Sequence, residues 1–441
     1  MDPNKTAKQI SVIASWIILI ILALLPFHAF LTVWFSSLFG HYTMLRLWKE
    51  ILLVPVFVGS IYIVAFNAKL RQKLFSDWLN RLILIYVLLL AVVGAMAFSY
   101  HDVSAKALAY GELVDLRFLI FFLMVLIIVS YSPILIERWK TAVILPATVV
   151  IIFALLQFLA LPYDFLSHFG YGVNTIFPYE TINHNLNHLR VASTLRGANP
   201  LGAYLVLVMS TALALLLKSK PKRLSEIIWL GAALLAMFFS FSRSAWIGLI
   251  VSAAIIFWLS LKSEKLRRQL LVAAGVIVLI AGVVGLALHN NTTFQDDILH
   301  TDNHSTALVS SNQGHTAAFK DGVHDIVHQP QGGGVGSAGP QSVYNNHPGR
   351  IAENYFLQIG QEAGILGIGL FIAINVLAGL KLWRIRQQPL ALALFASLIG
   401  LTIVNMLSHA WSDDTLAYIW WGLAGVAIAP HLSTARQSRA S

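Results

Sequence analysis

Apolar residues fall in long runs along this chain, separated by short polar breaks. A helix needs about 20 apolar residues to cross a bilayer. Candidate spans cover residues 10–39 (broken by Pro26), 51–66, 82–98, 118–131, 142–161 and 201–217. Further runs cover 227–241, 245–261, 270–288, 363–382, 391–407 and 415–429. The pattern predicts an all-α polytopic membrane protein with about twelve transmembrane helices. One long polar stretch interrupts it, from His289 to Asn354, and is rich in Asp and His. A structureless loop this long is uncommon in a compact domain unless it is functional. It therefore reads as a large extracytoplasmic cap before the last three helices. The chain divides into residues 1–288 with helices one to nine, 289–354 as the cap, and 355–441 with helices ten to twelve.

Loop charge gives these helices a direction. Most of the 30 Lys and Arg residues lie in one set of alternate loops, among them Lys69, Arg71, Lys140, Lys220, Arg267 and Arg384. The other set holds Arg46, Lys49, Lys106, Arg117, Arg190, Arg196, Arg243, Lys320 and Arg350. Basic loops stay on the cytoplasmic side, so both termini are expected there and the cap faces outward. The net charge of +10 then faces the lipid of the cytoplasmic leaflet, and no nucleic-acid partner is called for. Composition agrees: 57% of residues are apolar and 11% charged, against about 25% charged in soluble domains. No clear small-residue cleavage site follows the first apolar run, so no removable signal peptide is expected. With no cysteine, disulfides, iron–sulfur clusters and thiolate zinc sites are excluded.

Candidate chemistry gathers on the outward side. Arg196 precedes Asn199 and Pro200, where Asn199 suits a helix cap and Pro200 a first turn. Arg243 lies between Ser242 and Ser244, with Ser244 as a cap of the helix that follows. Arg350 lies just before the helix that opens at Glu353. In the expected topology these three helices run inward, so their positive dipole ends face the arginines. An arginine beside free helix N–H groups makes a strong anion site, and three could hold a pyrophosphate. The competing reading pairs each arginine with a loop acid. The run 227–241 spans only about 22 Å at 1.5 Å per residue, short of a bilayer core of roughly 30 Å. The turn carrying Arg243 is therefore expected below the membrane surface, where ionisable groups are usually functional.

Glu353 is expected to share a helical face with Gly360, Gly364 and Gly367, which turns it into the bundle as a general-base candidate. Its alternative role is a salt bridge to Arg350. A second outward loop, residues 162–199, carries Tyr163, His168, Tyr171, Tyr179, His184 and His188, which suit sugar contact or a belt at the membrane surface. The run Gly332–Gly339 lacks the Lys-Ser/Thr end of a phosphate loop and reads as a flexible or tightly turning segment. Asp413 and Asp414 read as caps of the last helix, with His409 and Trp411 beside them. No His or Asp spacing is diagnostic for a metal, and no cofactor is expected.

These pieces together resemble the O-antigen ligase and polymerase superfamily of bacterial membrane glycosyltransferases. The similar segments are Arg190 to Pro200, Phe241 to Trp246, Pro330 to Gly339 and Glu353 to Gly367, within residues 185–415 or so. The resemblance implies a metal-independent enzyme of the inner membrane with its active site outside. It would move an undecaprenyl-pyrophosphate-linked glycan onto a glycan or lipid acceptor. Arg190 or Arg196, together with Arg243, would hold the pyrophosphate, and His315, Arg350 and His409 would contact substrate. Two positions depart from the pattern. Many ligases carry His where this chain has Glu353, and His315 stands after Gly314 where Arg is common. Both weigh against the lipid-A-core ligase branch. The rival class is a lipid-linked-sugar flippase, but flippases and transporters usually place ionisable groups near the midplane.

Overall fold

The computed structural model describes residues 3–182, 185–218, 224–261, 263–269, isolated positions between 272 and 295, 311–346 and 348–432. Almost all of the expected ninth span, 270–288, lies outside the described residues, as do His184, His300, His304 and His347. The other expected runs each fall on a described helix. In order these are α1 (Pro3–Leu24), α2 (His28–Phe39), α3 (Tyr42–Arg46), α4 (Trp48–Phe66), α5 (Ala68–Ser76), α6 (Trp78–Ser99), α7 (Ala105–Val129) and α8 (Ile134–Leu159). After a hairpin of β1 (Glu180–Ile182) and β2 (Asn185–Arg190) come α9 (Ala198–Lys218), α10 (Leu224–Phe239) and α11 (Arg243–Ser260). The cap contributes α12 (Ser311–His328), and α13 (Tyr355–Arg384), α14 (Pro389–Leu407) and α15 (Asp414–Ile428) complete the bundle.

Eight described helical stretches, α1 and α2 counting as one, are long and apolar enough to cross a membrane. The protein is thus an all-α integral membrane protein, with eight such stretches among the described residues where the sequence suggested about twelve. The shortfall has physical causes. Helix α7 carries Lys106, Glu112, Asp115 and Arg117, and α10 and α15 have 16 and 15 residues.

Helix α15 is the hub. Every one of its residues is buried, so it can be apolar on all sides. Its 15 residues rise only about 22 Å, so its first turn starts below the bundle's rim. It packs on α7, where Cβ atoms added at Gly422 and Gly425 would strike Phe121 and Val125 at 2.6 and 2.8 Å. Small residues give the same close approach between α11 and α14: a Cβ at Gly248 would meet the Gly400 carbonyl oxygen at 2.9 Å.

Helix α13 is broken. Gly364 has φ 65° and ψ −165° inside it, a conformation only glycine takes without cost. The break is filled by the glycine-rich run of the cap. The Gly333 and Gly334 amides donate to the carbonyls of Gln361 and Glu362 at 2.7 and 2.9 Å, and the Ile365 amide donates to the Pro330 carbonyl at 2.9 Å. The run is therefore a fixed plug between α7 and α13, the tightly turning form of the expectation. Glu362 lies at its centre and is fully buried. Its Oε1 accepts from the Gly336 amide at 2.9 Å and from Gln341 Nε2 at 2.8 Å. Its other oxygen is buried without a hydrogen-bond partner, as is Asp115 Oδ2 on α7, and Asp115 Oδ1 accepts from the Tyr355 hydroxyl at 3.2 Å.

Connections meet one another at two places in the bundle. Lys381 Nζ meets Asp77 Oδ2 at 2.5 Å at one, and Ser104 Oγ donates to the Tyr344 carbonyl at 3.0 Å at the other. Because the chain lacks cysteine, single introduced cysteines report sides without background. Val173→Cys should react with an impermeant maleimide in spheroplasts, and Ser76→Cys only after permeabilisation. Labelling of both from outside overturns the orientation. For the plug, Glu362→Gln should keep near-normal thermal stability in detergent, since an amide oxygen can still accept from the Gly336 amide and Gln341. Glu362→Ala orphans the Gly336 amide and Gln341 and should cost about 1–3 kcal/mol for each group left unpaired. Equal stability of the two variants would refute these bonds.

Candidate functional site

Three turns of chain build the site at the cap end. The first follows β2. Ser193 donates from its hydroxyl to the Val150 carbonyl at 2.7 Å, and Thr194 donates to the Pro26 carbonyl at 2.8 Å. Residues 191–197 are thereby pinned into the bundle, with Arg190 and Arg196 at either end. Arg190 Nε donates to the Ser240 carbonyl at 3.0 Å and Nη2 to Asn199 Oδ1 at 2.7 Å, while Nη1 stands 3.7 Å from Glu180 Oε2. Burial pulls its guanidinium below the ordinary arginine range, opposed by Glu180. Asn199 thus serves Arg190 and is not a cap, because α9 has already begun at Ala198.

The second turn joins α10 to α11. Helix α11 begins at Arg243 with Ser242 in the cap position, so Ser244 lies inside the helix and caps nothing. Arg243 is near enough to Arg190 for the two cations to repel. Arg190, Arg196 and Phe241 line a cavity of about 310 Å³ whose roof is the loop bearing Tyr163, Tyr171, Tyr179 and His188. Arg190 and Arg196 thus line one space, and Arg243, which is not in its wall, stands within electrostatic reach of Arg190.

The third turn combines the cap with the α14–α15 connection. Glu353 does not open α13. The helix starts at Tyr355, capped by Asn354, whose side chain accepts from the Leu357 amide at 3.1 Å. Glu353 precedes the cap with φ 52°, so the shared face with Gly360, Gly364 and Gly367 does not exist. Its carboxylate pairs with His315 Nδ1 on α12, not with Arg350. Arg350 instead holds Asp325 on α12, Nη2 to Oδ2 at 2.6 Å, and Gln361 donates to the same oxygen at 2.7 Å. Of the two readings offered for Arg350, the pair with a loop acid is the one present.

Electrostatic reach links these turns. The His315 contact holds Glu353 below the ordinary carboxylate range, with burial opposing and His409 assisting. Burial and then Arg196 lower His409 to about 4, so its imidazole is neutral at neutral pH. Burial raises Asp413 while Arg196 opposes. Asp413 does cap α15, accepting from the Leu416 amide at 3.2 Å. Asp414 does not: its Oδ2 meets Lys49 Nζ at 2.7 Å and His28 Nε2 at 3.1 Å, and its Oδ1 meets Arg117. Lys49 and Arg117, assigned to outward loops by charge counting, are buried. The sequence hides this cluster, because Asp414 follows Asp413, Lys49 precedes Glu50 and Arg117 lies two residues from Asp115. A lone acid beside an apolar run is a signal of buried charge, and it would have found Glu362. Among the described residues no group of three or more His, Asp or Glu side chains converges as a metal site.

Residues 227–372 match the O-antigen ligase family. The match takes in Arg243, His315, Arg350, Glu353 and the α13 break, begins after Arg190 and Arg196, and ends before His409. No curated protein matches the chain.

Glu353 generates a pH expectation. Its value in the fold is depressed, so the stabilisation from its contact with His315 is complete above the ordinary carboxylate value of about 4.3. It is lost as pH falls through the lowered value. Hydrogen exchange in α12, corrected for intrinsic rate, should show protection falling across that acid window. Glu353→Gln should be less protected at neutral pH and lack the acid step. An unchanged acid step in that variant would assign it to another pair.

Proposed function

We propose that this member of the O-antigen ligase family transfers a glycan from an undecaprenyl-pyrophosphate carrier to an acceptor hydroxyl during surface-polysaccharide assembly. The observation that carries the reading is that Arg190 and Arg196 line one cavity beside the start of α9, with Arg243, which opens α11, in electrostatic reach of Arg190. Cations that repel one another at a helix N-terminus favour a polyanion between them. The acceptor oxygen attacks the anomeric carbon, and the carbon–oxygen bond to the pyrophosphate breaks with both electrons leaving on the phosphate. The arginines stabilise that charge as it develops. The acceptor's proton passes to the pair formed by His315 and Glu353. With Nδ1 directed at Glu353, the imidazole keeps its Nε2 lone pair for this task, so the carboxylate orients the base rather than acting alone.

A flippase is the second reading, favoured by the break in α13 beside the buried Asp115 and Glu362, since transporters use broken helices and midplane carboxyls. The plug argues against it, because the freed backbone groups are already bonded to the cap. Purified protein in detergent separates the readings: a transferase forms the new glycosidic linkage there, and a flippase forms none.

Arg243→Ala should abolish transfer at matched expression, and Lys should restore it only in part because the bidentate fork is lost. His315→Gln and Glu353→Gln should each slow turnover by about 10²–10⁴-fold, with donor binding intact. Near-normal product from Arg243→Ala removes it from the site. A pure affinity loss in Glu353→Gln hands that residue to anchoring α12.

A further inference from the structure

A second cavity, of about 170 Å³, adjoins the first. Arg196 and Ile176 line both. Its other walls are His28 and Thr32 of α2, Tyr42 and Arg46 of α3, Thr175, and Asp413 to Thr415 at the start of α15. It differs from the first in chemistry. The larger space is walled chiefly by aromatic and aliphatic side chains, as a lipid-linked donor needs. The smaller one has Ala29 and Ile176 in its wall, and beside them the hydroxyls of Thr32, Tyr42 and Thr415, two guanidinium groups and two carboxyl groups.

Its floor is built at some expense. Asp414 is neutralised by Lys49 and Arg117 and is also met by His28 Nε2. His28 Nδ1 also accepts from Trp48 Nε1 at 2.9 Å, and Arg117 Nη2 donates to the Ser412 carbonyl at 2.8 Å. A buried ion cluster adds little net stability over an apolar core, so stability does not account for it. It does fix a wall. With Asp414 neutralised, the groups left to a ligand are the donors Arg46 and Arg196, the hydroxyl of Tyr42, and the Asp413 carboxylate as acceptor. Arg46 is itself steadied over the Tyr110 ring at 5.0 Å.

We infer that this cavity is the acceptor subsite, taking one neutral sugar residue whose neighbouring hydroxyls are read by Arg46, Tyr42 and Asp413. The inference rests on the transferase reading above. The mixture of donors with an acceptor matches sugar hydroxyls, which both give and take hydrogen bonds. The volume is about half the lower end of the roughly 300–1,000 Å³ typical of drug-sized ligands, so it fits one sugar ring and no oligosaccharide. Arg196 stands between the two spaces, which puts an acceptor hydroxyl in the second beside a pyrophosphate-linked carbon in the first. His409 joins Arg196 to the His315–Glu353 pair by electrostatic reach, giving the proton a destination on the same side.

The test uses the full-length protein in detergent with single monosaccharides as probes: glucose, galactose, N-acetylglucosamine and glucuronate. Saturation-transfer NMR should detect at least one neutral sugar, and the signal should fall at least fivefold in Tyr42→Phe and in Arg46→Gln. In membranes carrying the native donor, Arg46→Gln should raise the KM for acceptor about tenfold and leave donor KM and carrier affinity unchanged. The inference is overturned by binding of glucuronate alone, by binding of no sugar, by sugar binding indifferent to both variants, or by a donor-side defect in Arg46→Gln. Wild-type protein that binds these sugars yet forms no linkage would leave the subsite standing and sink the transferase reading instead.

Discussion

Inside a bilayer every backbone N–H and C=O must find a partner within the protein. The break of α13 at Gly364 is where this chain meets that demand most severely. Pro330, Gly333 and Gly334 supply the partners, so the plug cannot leave without orphaning them. Glu362 extends the same logic from backbone to side chain by accepting from the Gly336 amide and Gln341 together. Helix α13 is thus fixed to the cap and to α7 by one polar core. The segment from Gly339 to Asn354 hangs from that core, since the Gly339 amide donates to the Arg350 carbonyl at 2.8 Å. Asp325 then ties α12 to Arg350 and Gln361. The position of His315 over Glu353 follows from this framework.

A parallel framework carries the arginines. Helix α15 is short and fully enclosed, so its first turn is sunk, and the charge of Asp414 must be answered inside the protein. Lys49 from α4, Arg117 from α7 and His28 from α2 converge on it. Removing one partner from such a cluster typically costs 3–5 kcal/mol, so the four helices are held in one register. Asp413, one residue earlier, keeps its place beside Arg196 for the same reason. Two buried polar clusters, one on Glu362 and one on Asp414, therefore locate the two halves of the candidate site.

Much of this was legible in the sequence. Apolar runs gave the membrane helices, and loop charge gave an ordering of ends that the contacts of Lys381 with Asp77 and of Ser104 with Tyr344 respect. Arg196, Arg243 and Arg350 stood out because each sits beside an expected helix start, and Arg190 only through the family resemblance. What failed were the judgements that depend on where a helix starts. Periodicity reads a face only for residues within the helix, and Glu353 lies outside it by two positions. The buried charges escaped because charge counting treats a base near an apolar run as loop. Helix α7 begins at Ala105, so its polar first half, with Glu112, Asp115 and Arg117, belongs to the bundle and faces inward. Pairings across hundreds of residues, such as His28 with Asp414, leave no local trace.

The mounting of Arg190 bears on how such a site would work. Of its five donors, Nε is committed to Ser240 and Nη2 reaches Asn199. The plane of the guanidinium is fixed by these bonds before any substrate arrives. Glu180 stands at 3.7 Å, too long for a hydrogen bond. It balances charge without occupying the remaining donors. A cation oriented in advance needs no reorganisation as charge develops on a leaving group, which is where electrostatic catalysis gains most. Arg243 contributes differently, since it opens α11 and adds the helix dipole to its own charge. The two together would stabilise a departing pyrophosphate from fixed directions, and the aromatic roof would keep the lipid-linked sugar facing Arg196 and the polar space beyond it.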